Sequence, residues 1–138
     1  MKSRIFTYPV LIKECHLDTF GHVNNATYLA LLEEARWDLI TGNGFGLAKI
    51  MQLGIGPTIL EIKLRFLKEI RLREEITIET QLVSYEKKVA VIAHRILRGD
   101  EVCCTAELTI ALMNLAERKL ILPTPEWLQA VGAEKIDS

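Results

Sequence analysis

The chain has 138 residues, 49% of them hydrophobic and 25% charged, with seventeen Lys+Arg against eighteen Asp+Glu and a formal net charge of -1. That length suits one domain spanning 1–138, and the apolar content is enough to offset the entropy of ordering the chain, which excludes intrinsic disorder. The balanced charge argues against a nucleic-acid binder, whose surface would be strongly basic.

No run approaches the ~20 consecutive apolar residues of a membrane span. The opening stretch MKSRIFTYPV lacks the apolar core and small-residue cleavage site of a secretory signal, so a cytoplasmic protein is expected. Cys15, Cys103 and Cys104 form no C-x-x-C pair, which argues against a disulfide framework or a zinc cluster. Cys103 and Cys104 point to opposite faces of a strand and read as small buried hydrophobes.

In chain order, residues 5–16 read as a strand, with Pro9 marking an edge or an irregular start. Residues 18–25 (DTFGHVNN) have the Asp, Gly and Asn content of a loop. A helix is predicted over 25–40, capped by Asn24 or Asn25 and stopped by Gly42. Only Glu33, Glu34, Arg36 and Asp38 interrupt its apolar residues, which implies burial on several sides. A shorter helix fits 45–53.

From Pro57 the hydrophobic period changes to two. Leu60, Ile62, Leu64 and Phe66 share one face of a strand, and Ile76, Ile78, Thr80 and Leu82 share one face of the next. A third strand covers 89–97, and a fourth places Val102, Cys104, Ala106, Leu108, Ile110 and Leu112 together. Short turns at Glu86-Lys87 and Gly99-Asp100 predict that the last three form an antiparallel meander. A final helix fits 125–131 with Thr124 as its cap. The pattern is α+β, a sheet layered on one long helix.

The stretch 18–28 carries the chemistry. It puts a carboxylate, Asp18, and an imidazole, His22, in a loop that leads into a helix N-terminus, where free amides and the helix dipole stabilise a negative oxygen. A carboxylate beside an oxyanion site is the minimum apparatus for acyl transfer. The competing reading makes Asp18 and Asn24 turn and cap residues, with His22 a solvated loop residue. Glu33 and Glu34 are rival acids, otherwise salt-bridge or subunit-contact residues. Thr58 can donate a hydrogen bond to bound acyl-CoA; the competing reading is a plain strand-start residue. Lys63, Arg65, Lys68, Arg71, Arg73 and the Lys87-Lys88 pair are candidate phosphate contacts, one or several of them, against a competing reading as a solvated strand face with a charged edge. Arg98-Gly99-Asp100 is attributed to a hairpin, and His16 and His94 read as structural residues without metal-like spacing.

DTFGHVNNATYLALLEEAR, between a first strand and a long helix, resembles the signature of the hotdog-fold acyl-CoA thioesterases, in particular the 4-hydroxybenzoyl-CoA thioesterase-like branch. Residues 54–80 resemble that family's second and third strands, and the likeness spans roughly 5–115. The resemblance implies a five-stranded antiparallel sheet wrapped around a long central helix. It makes Asp18 the catalytic carboxylate, Asn25 the backbone oxyanion donor, Gly21 the tight turn and Tyr28 the early helix aromatic of the substrate site. His22 stands where the hydroxybenzoyl enzymes are apolar. It is comparable to the catalytic His of the plant acyl-carrier-protein thioesterases, although those have an Asn where this chain has Phe20. The expected activity is metal-free hydrolysis of an acyl-CoA, with coenzyme A entering only as part of the substrate, by a homodimer or homotetramer that binds no nucleic acid. Alternatives are an acyl-carrier-protein thioesterase or a non-catalytic acyl-CoA-binding scaffold. A hotdog dehydratase is disfavoured because its motifs are missing.

Overall fold

The computed structural model describes residues 2–19 and 21–135; Phe20, which bears on the comparison with the plant enzymes, lies outside the described residues. The elements are β1 (Lys2–Ser3), β2 (Ile5–Leu11), a 3-10 turn (Glu14–His16), α1 (Asn25–Gly42), α2 (Leu47–Leu53), β3 (Ile55–Phe66), β4 (Glu75–Glu86), β5 (Val89–Arg98), β6 (Glu101–Asn114), β7 (Lys119–Ile121), α3 (Pro125–Ala130) and β8 (Ala133–Lys135). The fold is α+β, as expected.

The main sheet has the order β2-β4-β5-β6-β3, with every neighbour antiparallel. β7 pairs with β6 beyond Ala111, where β5 has ended, so the sheet has six strands and not the five implied by the resemblance. β1 and β8 form a separate two-stranded ribbon. Strands of two or three residues are too short to register as a hydrophobic period. The β4-β5-β6 meander follows the alternating pattern and its short turns, with Lys87 at φ +54 in the first turn and Gly99 at φ +62 in the second.

β2 ends at Leu11 rather than running to 16, because the 3-10 turn intervenes. That turn is pinned by the Lys13 amide donating to His16 Nδ1 at 2.9 Å, a structural use of His16. β2 pairs only with β4, so Pro9 sits on an edge strand, where its missing amide costs little. At the other edge β3 pairs only with β6, and a register shift between Ile59 and Glu61 interrupts it. Leu60, Ile62 and Phe66 are exposed.

α1 packs on β2, β4 and α3. It buries Tyr28, Leu31, Leu32, Ala35, Leu39 and Ile40 against a core that includes Ile78, Leu82, Ile92, Ile96, Leu108 and Leu112. Each such aliphatic side chain contributes roughly 1.5–3 kcal/mol through burial. The expectation of burial on several sides is corrected: Leu29 and Trp37 remain 40% and 37% exposed, because the sheet covers one face of the helix. Cys103 and Cys104 are both buried as predicted, and desolvation raises both thiols, Cys104 to about 11. Thr124 caps α3 by accepting from the Trp127 amide at 3.2 Å, and Trp127 meets Phe45 edge-on at 5.1 Å. No helix among the described residues is long and apolar enough to cross a membrane.

The turn before β8 tests this packing. Gly132 adopts φ +100, and a Cβ there would lie 2.6 Å from Phe6 Cε2. Gly132→Ala is expected to cost about 1–3 kcal/mol in urea unfolding, with the far-UV circular dichroism unchanged.

Candidate active site

The loop that enters α1 is held by its backbone. The Asp18 amide donates to the His22 carbonyl at 3.0 Å, and the Gly21 amide donates to the Asp18 carbonyl at 3.2 Å. Gly21 adopts φ +83, a conformation a side chain would strain. Leu17 and Val23 bridge each other, and His22 bridges Arg71. The Val23 amide donates to the Ile70 carbonyl at 3.2 Å. The loop is thereby docked on the 67–74 connection between β3 and β4.

Asp18 does not point into bulk solvent: its side chain is 20% exposed. Its Oδ2 lies 3.7 Å from His22 Nε2, and His22 Nδ1 lies 3.2 Å from Glu69 Oε1. One imidazole therefore spans two carboxylates. Glu69 was not singled out from the sequence, where it is one counter-charge among the basic residues of a connection without periodicity; only the fold brings it to His22. Arg98 holds this connection by donating to the Glu69 carbonyl at 2.8 Å and to the Glu74 carboxylate. Its Nη2 also donates to Glu101, so the Arg98-Gly99-Asp100 run is explained structurally.

The start of α1 follows its cap. Asn24 Oδ1 accepts from the Ala26 amide at 2.8 Å, and the Asn24 carbonyl accepts from the amides of Thr27 and Tyr28. These bonds use the amides of residues 26, 27 and 28 and not that of Asn25. Tyr28 lies beneath the loop, buried and edge-on to Phe66 with ring centroids 5.0 Å apart. Burial, reinforced by Cys104 and Cys103, pushes its hydroxyl up to about 12, so the phenol stays neutral.

Asp18, Gly21 and His22 are thus joined within one loop that leads into Asn25 at the start of α1, whereas Thr58 lies elsewhere. Thr58 precedes Phe66 by eight positions on β3, roughly 26 Å along the strand. Glu33 is two helical turns past the loop. Glu34 accepts from the Tyr8 hydroxyl at 3.5 Å on the exposed side. Among the candidate phosphate contacts, Lys63, Arg71 and Arg73 pair with Glu61, Glu69 and Glu14. Arg65, Lys68, Lys87 and Lys88 have no carboxylate within 4.0 Å among the described residues. The described residues contain no group of three His, Cys, Asp or Glu able to hold a metal.

Residues 10–132 match the thioesterase-like superfamily. The chain belongs to that family. This thioesterase is 29% identical over 114 residues to the long-chain acyl-CoA thioesterase FadM of Escherichia coli, covering 81% of this chain and 86% of FadM. Its fold matches the E. coli probable thioesterase YbaW with a TM-score of 0.79 at 25% identity, over 90% of this chain and 94% of YbaW. A Staphylococcus aureus protein solved in complex with CoA matches with a TM-score of 0.86 at 17% identity, over 95% of this chain and 84% of that one. The thioesterase has the hotdog fold and is a thioester hydrolase.

A second polar cluster lies inside this thioesterase, away from the loop. Arg36 Nη1 donates to His94 Nε2 at 3.1 Å. Because arginine only donates, the ring proton sits on Nδ1, which lies 3.0 Å from Thr80 Oγ1. His94 is buried, as its structural reading requires. Its pKa is pushed down to about 3, chiefly by burial and then by Arg36. The unfolded chain takes up this proton near ~6.5, so between those values it binds more protons than the folded chain does. Stability should fall as pH drops from about 6.5 towards 3, by up to ~1.4 kcal/mol per pH unit from this residue. Urea midpoints measured across that range should show a shallower slope in His94→Asn than in the native protein.

Proposed function

We propose that the protein is a cytoplasmic, metal-free acyl-CoA hydrolase that yields a free carboxylic acid and coenzyme A. Asp18 acts in one of two ways. Its carboxylate attacks the thioester carbonyl carbon and expels the CoA thiolate, and water then cleaves the mixed anhydride and restores the carboxylate. Alternatively, it takes a proton from a water that adds to the same carbon. A leaving thiol of pKa ~8.5, by analogy with cysteine, departs as the thiolate without an acid. The Asn25 amide, ahead of the capped amides of α1, is the oxyanion donor. His22, set between Asp18 and Glu69, supports the catalytic carboxylate. Gly21 supplies the turn, and Tyr28 the apolar floor.

The observation that carries this reading is a partly buried carboxylate held by backbone pairing at the mouth of a helix, in a chain of the thioesterase-like superfamily. The acyl-CoA substrate class is supported by FadM and by the CoA complex of the S. aureus protein. Arg65 and Lys68, near the Phe66 end of β3, are suited to the CoA phosphates.

The reading also takes the sheet as wrapped around α1, and the enzyme as a homodimer or a homotetramer built from dimers. β3 has a free hydrogen-bonding edge with exposed Leu60, Ile62 and Phe66, a surface that two copies would cover by pairing edge to edge. Antiparallel pairing about Ile62 sets the Phe66 end of one copy against the Pro57 end of the other. That arrangement gives Thr58 a role in substrate binding that it cannot have within one chain.

Thiol release from a panel of acyl-CoAs tests the reading. At least one member should turn over, and Asp18→Asn should lower its kcat at least tenfold. Asn25→Ala should lose far less, because the donor is backbone. Normal turnover in Asp18→Asn with loss in a Glu33 or Glu34 variant would mean that the helix carries the acid.

A further inference from the structure

The C-terminal half of α1, the start of β3 and α3 enclose a cavity of about 210 Å³. Its wall is mostly apolar, with Trp37, Ile40, Ile59, Ile92, Ile110 and Trp127. An apolar cavity of ~150 Å³ holds one benzene, so this one suits a group of roughly six to eight non-hydrogen atoms.

Arg36 breaks this apolar lining. Its guanidinium has no carboxylate within 4.0 Å among the described residues, and its side-chain hydrogen bond goes to His94. His94 is neutral and its far nitrogen lies against Thr80, so it fixes the guanidinium without neutralising it. Glu33, the other charged residue of the wall, is exposed and acts on Arg36 through its charge from beyond 4.0 Å, without a direct ion pair. A guanidinium carries five donors in a rigid fork. Only one contact of this half-buried fork, that to His94, is made within the protein, so a ligand entering the cavity with an oxygen acceptor would gain a charge-assisted hydrogen bond that an alkyl group cannot. A plain alkyl chain would fill the volume and leave the cation unanswered.

We propose that this cavity is an acyl subsite selective for acyl groups of about six carbons that carry a distal oxygen acceptor, a carboxylate or a hydroxyl, received by Arg36. The inference rests on the acyl-CoA reading and on paired β3 edges, which turn the cavity of one copy, opening beside Pro57 and Ile59, toward the Asp18 loop of the other. His94 and Thr80 are positioning residues, because they act through Arg36.

Titration calorimetry with CoA thioethers, which cannot be hydrolysed, separates this subsite from catalysis. S-(5-carboxypentyl)-CoA and S-(6-hydroxyhexyl)-CoA are expected to bind the native protein at least tenfold more tightly than S-hexyl-CoA, the advantage of a hydrogen bond to a charged donor. A gain confined to the carboxylate probe would still support Arg36 and would restrict the class to diacids. In Arg36→Met the ratios should fall to about one. Ile59→Trp changes an exposed rim residue that folding tolerates, and by narrowing the mouth it should also collapse the ratios. Equal binding of all three probes by the native protein overturns the proposal, as does a ratio that survives in Arg36→Met. Selective binding without thiol release from any acyl-CoA would support the subsite and overturn the hydrolase reading.

Discussion

The hydrogen bond from the Val23 amide to the Ile70 carbonyl fixes where the chain enters α1, and the candidate site depends on it. Val23 is almost fully buried, so the bond is shielded from water, where an exposed one would be weakened by competition. Together with the Leu17–Val23 and His22–Arg71 bridges, it makes the loop a short annex to the β3–β4 connection. Asp18 and His22 are therefore placed by main-chain pairing. The site's geometry is borrowed from the sheet, and α1 contributes its first amides because Asn24 caps the turn behind them.

Much of this arrangement was legible in the residues. The Asn24 cap, the even-numbered residues of β4 and β6, and Thr124 with Pro125 are local signals, and each element they predict is present, although α1 runs through Gly42 to a cap at Asn43. The Asp18-to-Asn25 run was legible for the same reason, since its members are sequence neighbours. Glu69 was not, because its link to His22 depends on how two distant connections dock. The exposure of β3 was not legible, because periodicity reports which residues share a face, not whether anything covers that face. Leu60, Ile62 and Phe66 do alternate as read, but β3 is the last strand of the sheet. Thr58 shows the same limit, being on the expected strand but at the wrong end of it for a site within one chain.

The polar residues that interrupt apolar stretches proved more informative than they looked. Arg36 breaks the apolar run of α1, and His94 breaks that of β5. Each alone is an ordinary irregularity, yet the fold sets them 3.1 Å apart across the helix–sheet interface. That contact gives α1 a polar anchor on the sheet in addition to its apolar face. A hydrogen-bonded pair demands one rotation and depth of the helix, whereas aliphatic packing tolerates several. The geometry at the start of α1 inherits part of its precision from an anchor three turns away.

The thiols divide into one outside and two inside. Cys15 is exposed, while Cys103 and Cys104 are sealed in the core with their ionisation suppressed by burial. A colorimetric thiol reagent should therefore titrate a single group per native chain and three after denaturation. The two core sulfurs serve as an internal reporter of global opening, readable without any label.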